Sequence, residues 1–236
     1  MTTNITIKLF ADGADLEQML AVRETGRIAG FTTNPTLMRE AGVTDYVAFA
    51  KAVLDEIKDA PISFEVFSDD MAEMERQAKE IATWGDNVYV KIPVTNTKGE
   101  FTGPIVSSLS QSGVKLNVTA IFTLEQVHDV VQALDPKTPA VISIFAGRIA
   151  NAGVDPMPLM KAAVAIAKKL PRAEVLWASP REALNVLQAQ ESGCHIITMT
   201  PALIKATNNF GKDLAQYSLE TVQMFYNDAS AAGYTL

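Results

Sequence analysis

In NVYVKIPVT, residues 87–95, the apolar Val88, Val90, Ile92 and Val94 alternate with Tyr89, Lys91 and Pro93. A lysine inside so apolar a run belongs to a strand of the parallel kind, in which both faces are covered. Taking an ammonium out of water disfavours its charged form, lowers its pKa and leaves a neutral amine able to attack a carbonyl. That is the chemistry of a Schiff base. Two plainer readings stand beside it: Lys91 lies near a strand end and reaches solvent along its stem, or it pairs with a carboxylate.

Other strand-like runs carry polar residues at or near their carboxyl ends. Asp12 follows ITIKLFA, Glu65 lies in SFEVF, Asn117 and Thr119 lie in LNVTAIF, and Ser143 lies in VISIF. Polar groups in such surroundings are costly unless hydrogen-bonded, so they satisfy one another or serve a ligand. Asp12 with Asp15 also suits the cap of a following helix, and Asn117 and Thr119 also suit bonds to nearby backbone. In FTTNPT, Pro35 pushes Asn34 out of the helical region and is itself fit to open a helix, which leaves Thr32 and Asn34 at a strand-to-helix turn. FAGRI and WASPRE put Arg148, Ser179 and Arg181 just beyond two successive strands. Two guanidinium forks, a hydroxyl and the amides that open the next helix suit a phosphate. The alternative is that both arginines pair with surface carboxylates such as Glu182.

These residues need a scaffold that brings strand ends together. Eight strand-like runs recur, at 5–11, 27–33, 62–67, 87–94, 115–122, 140–146, 173–179 and 194–200. Between them lie amphipathic stretches such as DDMAEMERQAKEIATWG and DPMPLMKAAVAIAKKLP, whose apolar residues recur every three to four positions. Alternating strand and helix predicts a parallel sheet with helical crossovers. Eight such units predict an α/β protein, a (β/α)8 TIM barrel over residues 1–236, with active groups at the carboxyl ends of the strands. An open doubly wound sheet is the competing arrangement. No low-complexity tract or long linker interrupts the chain. Its last segment, from Gly211, predicts a long helix over about 211–231, with Leu214, Leu219, Val222, Met224 and Phe225 as apolar contacts for its own barrel or a neighbour's.

Composition narrows the partners. A formal charge of -7 and a pI near 4.9 argue against general nucleic-acid binding, which needs a basic face. Cys194 is the only cysteine, so the expected compartment is a reducing cytoplasm. MTTNITIKLFADGAD lacks the basic start and long apolar core of a signal peptide, and no apolar stretch approaches the roughly 20 residues of a membrane span. His128 and His195 lack the spacing of metal ligands, so neither a metal nor another cofactor is expected. Gly-rich phosphate loops and serine-hydrolase elbows are not evident.

FTTNPT, VKIPVT, NVTAIF, ISIFAGRI and WASPRE, in that order on successive strands, resemble the transaldolase family, including its short members similar to fructose-6-phosphate aldolase. The resemblance spans nearly the whole chain and implies the (β/α)8 fold. By motif it implies Lys91 as the Schiff-base lysine, Asp12 as the acid/base beside it, and Glu65 with Thr119 as the pair positioning a catalytic water. Asn34 and Asn117 would bind substrate hydroxyls, Arg148, Ser179 and Arg181 a phosphate, and Thr32 and Ser143 would line the pocket. The implied activity is transfer of a dihydroxyacetone unit from a ketose phosphate to an aldose phosphate, a step of the pentose phosphate pathway. Transferases of this family usually carry Glu and Phe where this chain has Glu65 and Phe145, whereas the aldolases usually have Gln and Tyr. The short chain resembles the aldolase branch, and Pro180 replaces a common Phe. Release of free dihydroxyacetone, or action on a related anionic sugar such as a sulfonate, therefore stands as the alternative, with a sugar-phosphate-binding barrel without catalysis as the third reading. Short members often form rings, so a homo-oligomer is expected.

Overall fold

The computed structural model describes residues 4–235; residues 1–3 and 236, which the reading of 1–236 as a barrel includes, lie outside the described residues. The eight strands are β1 Lys8–Asp12, β2 Ile28–Thr32, β3 Ile62–Glu65, β4 Val88–Pro93, β5 Leu116–Ile121, β6 Ala140–Ile144, β7 Ala173–Trp177 and β8 Ile196–Met199. They pair in chain order, all parallel, and β1 closes on β8 from Lys8↔Ile196 to Ala11↔Met199. The chain thus forms a (β/α)8 barrel. The doubly wound alternative fails because such a sheet leaves two open edges.

Helices fill the crossovers: α1 Leu16–Glu24, α2 Pro35–Glu40, α3 Tyr46–Glu56, α4 Met71–Ala82, α5 Gly103–Gln111, α6 Leu124–Ala133, α7 Ala146–Asn151, α8 Met157–Ala167, α9 Leu184–Glu191, α10 Pro201–Ala206 and α11 Leu214–Ala232. Short polar residues start several of them: Asp15, Asp45, Asp70 and Thr123 each accept a bond from a free first-turn amide.

Because side chains alternate across a strand, each strand serves two cores. Leu9, Phe31, Phe64, Val90, Ile92, Val118, Ile142, Val175, Trp177 and Ile197 belong to one large apolar cluster with Val53, Met74, Val106, Val130 and Met160 of the helices. A separate small cluster, Phe10, Val141, Leu176, Ala178 and Ile196 with Tyr89 and Phe145 against it, fills the inside of the barrel. Phe10 occupies room that Gly30 leaves: a Cβ at position 30 would lie 2.5 Å from its ring. The interior is therefore plugged below, and ligand space is confined to the carboxyl ends.

The long C-terminal helix begins at Leu214, capped by Asp213, and ends at Gly233 in the left-handed conformation. None of its residues is buried, and Leu214 is 79% exposed. Within one chain its apolar residues do not pack on their own barrel. Among the described residues no helix is long and apolar enough to cross a membrane.

Candidate active site

Parallel register sets Lys91 between two strands of polar residues. It stands beside Glu65 of β3 and Asn117 of β5, while Pro93 is opposite Thr119 and Asp12 is opposite Thr32. Lys91 is 7% exposed, so it does not escape to solvent along its stem. Its Nζ lies 2.9 Å from Glu65 Oε2 and donates at 3.0 Å to the carbonyl of Thr33. Of the two plainer readings, escape to solvent therefore fails, while pairing with a carboxylate is what the structure shows, on an amine that is nonetheless buried.

Both partners are fixed from outside the cavity. Thr33 gives its amide and its hydroxyl to the Ser63 carbonyl, at 3.2 and 2.9 Å, which holds its own carbonyl towards Lys91. The Tyr46 hydroxyl donates at 2.8 Å to the Glu65 carbonyl, and its ring is wedged edge-on against Phe64, Phe67 and Trp84. Burial, with the nearby Glu65 charge, pushes the Tyr46 phenol well above its ordinary range, so it stays a hydrogen donor.

Asp12 is no helix cap, since Asp15 takes that role for α1. Its Oδ1 accepts at 2.8 Å from the Thr32 hydroxyl. Burial raises the Asp12 carboxyl above the usual carboxylate range, opposed by the Lys91 charge and the Thr32 bond and reinforced by Glu65. Asn117 bonds side chains rather than backbone: it donates at 2.9 Å to Ser63 Oγ and accepts at 2.6 Å from Ser143 Oγ. Thr119 differs from all of these, because its hydroxyl is buried without a partner in the protein. An orphan hydroxyl facing a cavity is a place for a water or a ligand oxygen.

These groups open on a cavity of about 380 Å³ at the carboxyl ends of the strands. Asp12, Thr32, Asn34, Glu65, Lys91, Asn117, Thr119, Ser143, Phe145, Arg148 and Ser179 all line it. Asn34 does so while capping α2, its Oδ1 accepting from the Leu37 amide at 3.0 Å. Its amide hydrogens are the part left for a ligand.

At the far wall the anion site departs from expectation. The Arg148 guanidinium sits 5.3 Å from the centre of the Phe145 ring, which leans on Phe122. Ser179 has φ of 60°, and Gly147 makes room for it: a Cβ at 147 would come 1.6 Å from the Ser179 carbonyl oxygen. That contact joins the turns after β6 and β7 and brings Arg148 and Ser179 together. Arg181, however, is exposed, does not line the cavity, and gives its Nε to Asn151 Oδ1 at 3.3 Å. The amides expected to greet the anion are also occupied, since those of Arg181 and Glu182 both donate to Asn185 Oδ1. Among the described residues neither Arg148 nor Arg181 pairs with a carboxylate, so the surface-pair reading does not hold either.

Four groups escaped the sequence reading. Thr198, on β8, lines the cavity and was legible as one more hydroxyl in an apolar strand. Ser63 on β3 serves Asn117 on β5, and Thr33 just after β2 serves Lys91 on β4, each reaching past one intervening strand, a pairing that only the closed barrel reveals. Ala120, with φ of 59°, lies where β5 slips register against β6 and lets two successive residues, Thr119 and Ala120, reach the cavity. Nothing in NVTAIF announces that bulge.

Fold and site together define a parallel barrel with a buried lysine, flanked by carboxylates, at the base of its carboxyl-end cavity. The chain belongs to the transaldolase/fructose-6-phosphate aldolase family, whose model matches residues 9–236. It is 36% identical over 194 residues to a probable transaldolase of Dehalococcoides mccartyi, covering 82% of this chain and 86% of that one. A probable transaldolase of Streptococcus equi subsp. zooepidemicus is 37% identical over 205 residues, 86% of this chain and 91% of its own. One from Thermoanaerobacter is 34% identical over 194 residues, 82% of this chain and 85% of its own.

Proposed function

We propose that the protein is a transaldolase that moves a dihydroxyacetone unit from a ketose phosphate to an aldose phosphate through a Schiff base on Lys91. The observation that carries this reading is the placing of Lys91 Nζ, buried at 2.9 Å from one carboxylate, in a cavity that a second carboxylate also lines. A proton passing from Nζ to Glu65 along that contact frees the amine to attack the ketose carbonyl at C2. Loss of water from the carbinolamine, with a proton returned by Glu65 through a water held by the Thr119 hydroxyl, gives the iminium. The Thr33 carbonyl then accepts the one hydrogen left on Nζ.

The iminium draws in the electron pair of the C3–C4 bond while Asp12 takes the proton of the C4 hydroxyl. An aldehyde leaves and a three-carbon enamine remains on Lys91. A second aldehyde accepts the enamine's electron pair and takes its hydroxyl proton from Asp12, and water then releases the new ketose. Asn34, Asn117 and Ser143 hold sugar hydroxyls, and Arg148 and Ser179 hold the phosphate. Arg181 joins them by exchanging Asn151 for the ligand. Phe145 closes the wall with a ring that has no proton to give the enamine carbon, which favours capture by an aldehyde over release of free dihydroxyacetone.

Borohydride reduction in the presence of fructose 6-phosphate tests the first half: a dihydroxyacetone- or ketose-derived mass at Lys91 is expected, and none overturns it. Turnover of fructose 6-phosphate with and without erythrose 4-phosphate tests the second. Release of dihydroxyacetone at comparable rates without acceptor would replace the transferase with the lyase reading. Helix α11, none of whose residues is buried, supports a homo-oligomer in which this helix covers a neighbouring subunit. Truncation after Gly211 should shrink the assembly in sedimentation, and an unchanged size removes α11 from the interface. Action in the cytoplasm follows from the soluble sugar phosphates of this reading.

A further inference from the structure

The Thr198 hydroxyl has no part in the chemistry above, yet it lines the cavity and is in hydrogen-bond contact with the Thr32 hydroxyl. Thr32 and Thr198 are 3% and 5% exposed. Thr32 has one hydroxyl proton, and it is given to Asp12 Oδ1. The contact between the two threonines therefore needs Thr198 as donor and Thr32 as acceptor. The order is fixed from β8 through β2 to β1: Thr198 to Thr32 to the carboxylate.

We infer that Thr198 is a positioning residue for Asp12, acting through Thr32 as a two-hydroxyl relay that holds Oδ1 and leaves Oδ2 for the substrate's C4 hydroxyl. The inference rests on the reading of Asp12 as the acid/base of an aldol step. Each hydroxyl in such a chain polarises the next, so a donor two residues removed strengthens the bond to the carboxylate. When Oδ2 takes the C4 proton, Oδ1 still accepts from Thr32, and the carboxyl keeps its orientation for the return transfer. The charged groups acting on Asp12 are Lys91 of β4 and Glu65 of β3, and the relay meets it from the two strands that flank its own, β2 and β8.

Bonds to the charged form hold a carboxyl's pKa down, so losing the relay must raise that of Asp12. Asp12 has to be ionised to take the C4 proton, and the acid limb of kcat/KM therefore moves to higher pH. The test uses full-length wild type, Thr198→Val, which keeps shape and loses the hydroxyl, and Thr198→Ser, which restores it. Thr198→Val should form the borohydride-trapped Lys91 adduct as wild type does. Its kcat should fall roughly three- to tenfold, the scale of one neutral hydrogen bond, and its acid limb should rise by roughly half a pH unit.

Thr198→Ser should return both values to those of wild type. An unmoved acid limb in Thr198→Val, or no recovery in Thr198→Ser, overturns the relay. If Thr198→Val does not fold, Thr198→Ala carries the same comparison. Titration of the Asp12 carboxyl by carbon-13 NMR in aspartate-labelled enzyme reads the relay without turnover. Wild type that traps nothing at Lys91 sinks the transaldolase reading alone, while an Asp12 titration unchanged by loss of the Thr198 hydroxyl sinks the relay alone.

Discussion

The outside and the inside of this barrel are made from the same eight strands, one residue going out and the next in, yet they answer to different demands. Outside, Val90, Ile92, Val118 and Ile142 meet the helices in an apolar layer whose residues need only volume and shape. Inside, their immediate neighbours Lys91, Asn117, Thr119 and Ser143 form a polar tier in which each side chain but Thr119 has a chosen partner. A small apolar cluster shares the interior with that tier, its Phe10, Val141 and Ile196 lying away from the cavity that Leu176 and Ala178 help to line. The contrast teaches that stability and chemistry are interleaved along each strand at single-residue resolution.

The hardest test of the inner tier is Lys91→Met, which keeps the length of the stem and removes the amine. If catalysis is covalent, kcat should fall by about 10⁴-fold or more, in line with losing a nucleophile. Single-turnover kinetics with fructose 6-phosphate measure this. Residual turnover within tenfold of wild type would place the chemistry on another group.

Ile142→Ala breaks the outer layer next door to Ser143. Ile142 is fully buried, and truncating such a side chain costs about 2–5 kcal/mol, depending on how far the site collapses. The expected result is a lower unfolding midpoint in denaturant, with kcat of the folded fraction close to wild type. A loss of kcat with intact stability would mean that the two layers are not separable.

How far the two regions were legible beforehand follows from the same contrast. The period-two alternation along NVYVKIPV and LNVTAIF identifies strands and their faces, because these are local patterns; eight repeats suit a closed barrel, but the open doubly wound sheet is excluded only by the pairing of β1 with β8. The polar tier is legible residue by residue for a related reason, a lysine or asparagine among valines being visible at once. What escapes is anything set by another strand or loop: the Thr33 carbonyl on Lys91, the Ser63 bond to Asn117, the bulge at Ala120 and the turn of Arg181 towards Asn151. Asn185 capturing the amides of Arg181 and Glu182 belongs here too, since one side chain four residues ahead redirects what the strand-to-helix pattern offers an anion.

A smaller effect is expected at the seam between the layers. Gly147→Ala forces a Cβ against the Ser179 carbonyl, a backbone atom that cannot simply rotate away. The turn after β7 must shift, carrying Ser179 away from Arg148. KM for fructose 6-phosphate should rise about tenfold, the cost of roughly one charge-assisted hydrogen bond. Turnover of unphosphorylated fructose or dihydroxyacetone should change much less. Equal losses on both kinds of substrate would show that the seam supports the whole cavity rather than its anion end.

The smallest effect concerns stability inside the polar tier. Burial raises the Asp12 carboxyl, so the native state holds that proton more tightly than the unfolded chain does. For a carboxyl shifted upward, ionisation works against folding: the penalty is absent below the unfolded value near 4, and it grows as pH rises towards the native one. Asp12→Asn removes the charge, and its amide oxygen still accepts from Thr32. Whatever turnover it loses, the variant should therefore melt at or below the wild-type temperature in acid and above it at neutral pH. Each kcal/mol gained is worth roughly 2–4 °C in a chain of this size. Calorimetry across that range decides it. A midpoint difference that does not widen with pH would mean that Lys91 neutralises Asp12 fully in the folded state, and the inner tier would then be as free of electrostatic strain as the layer outside it.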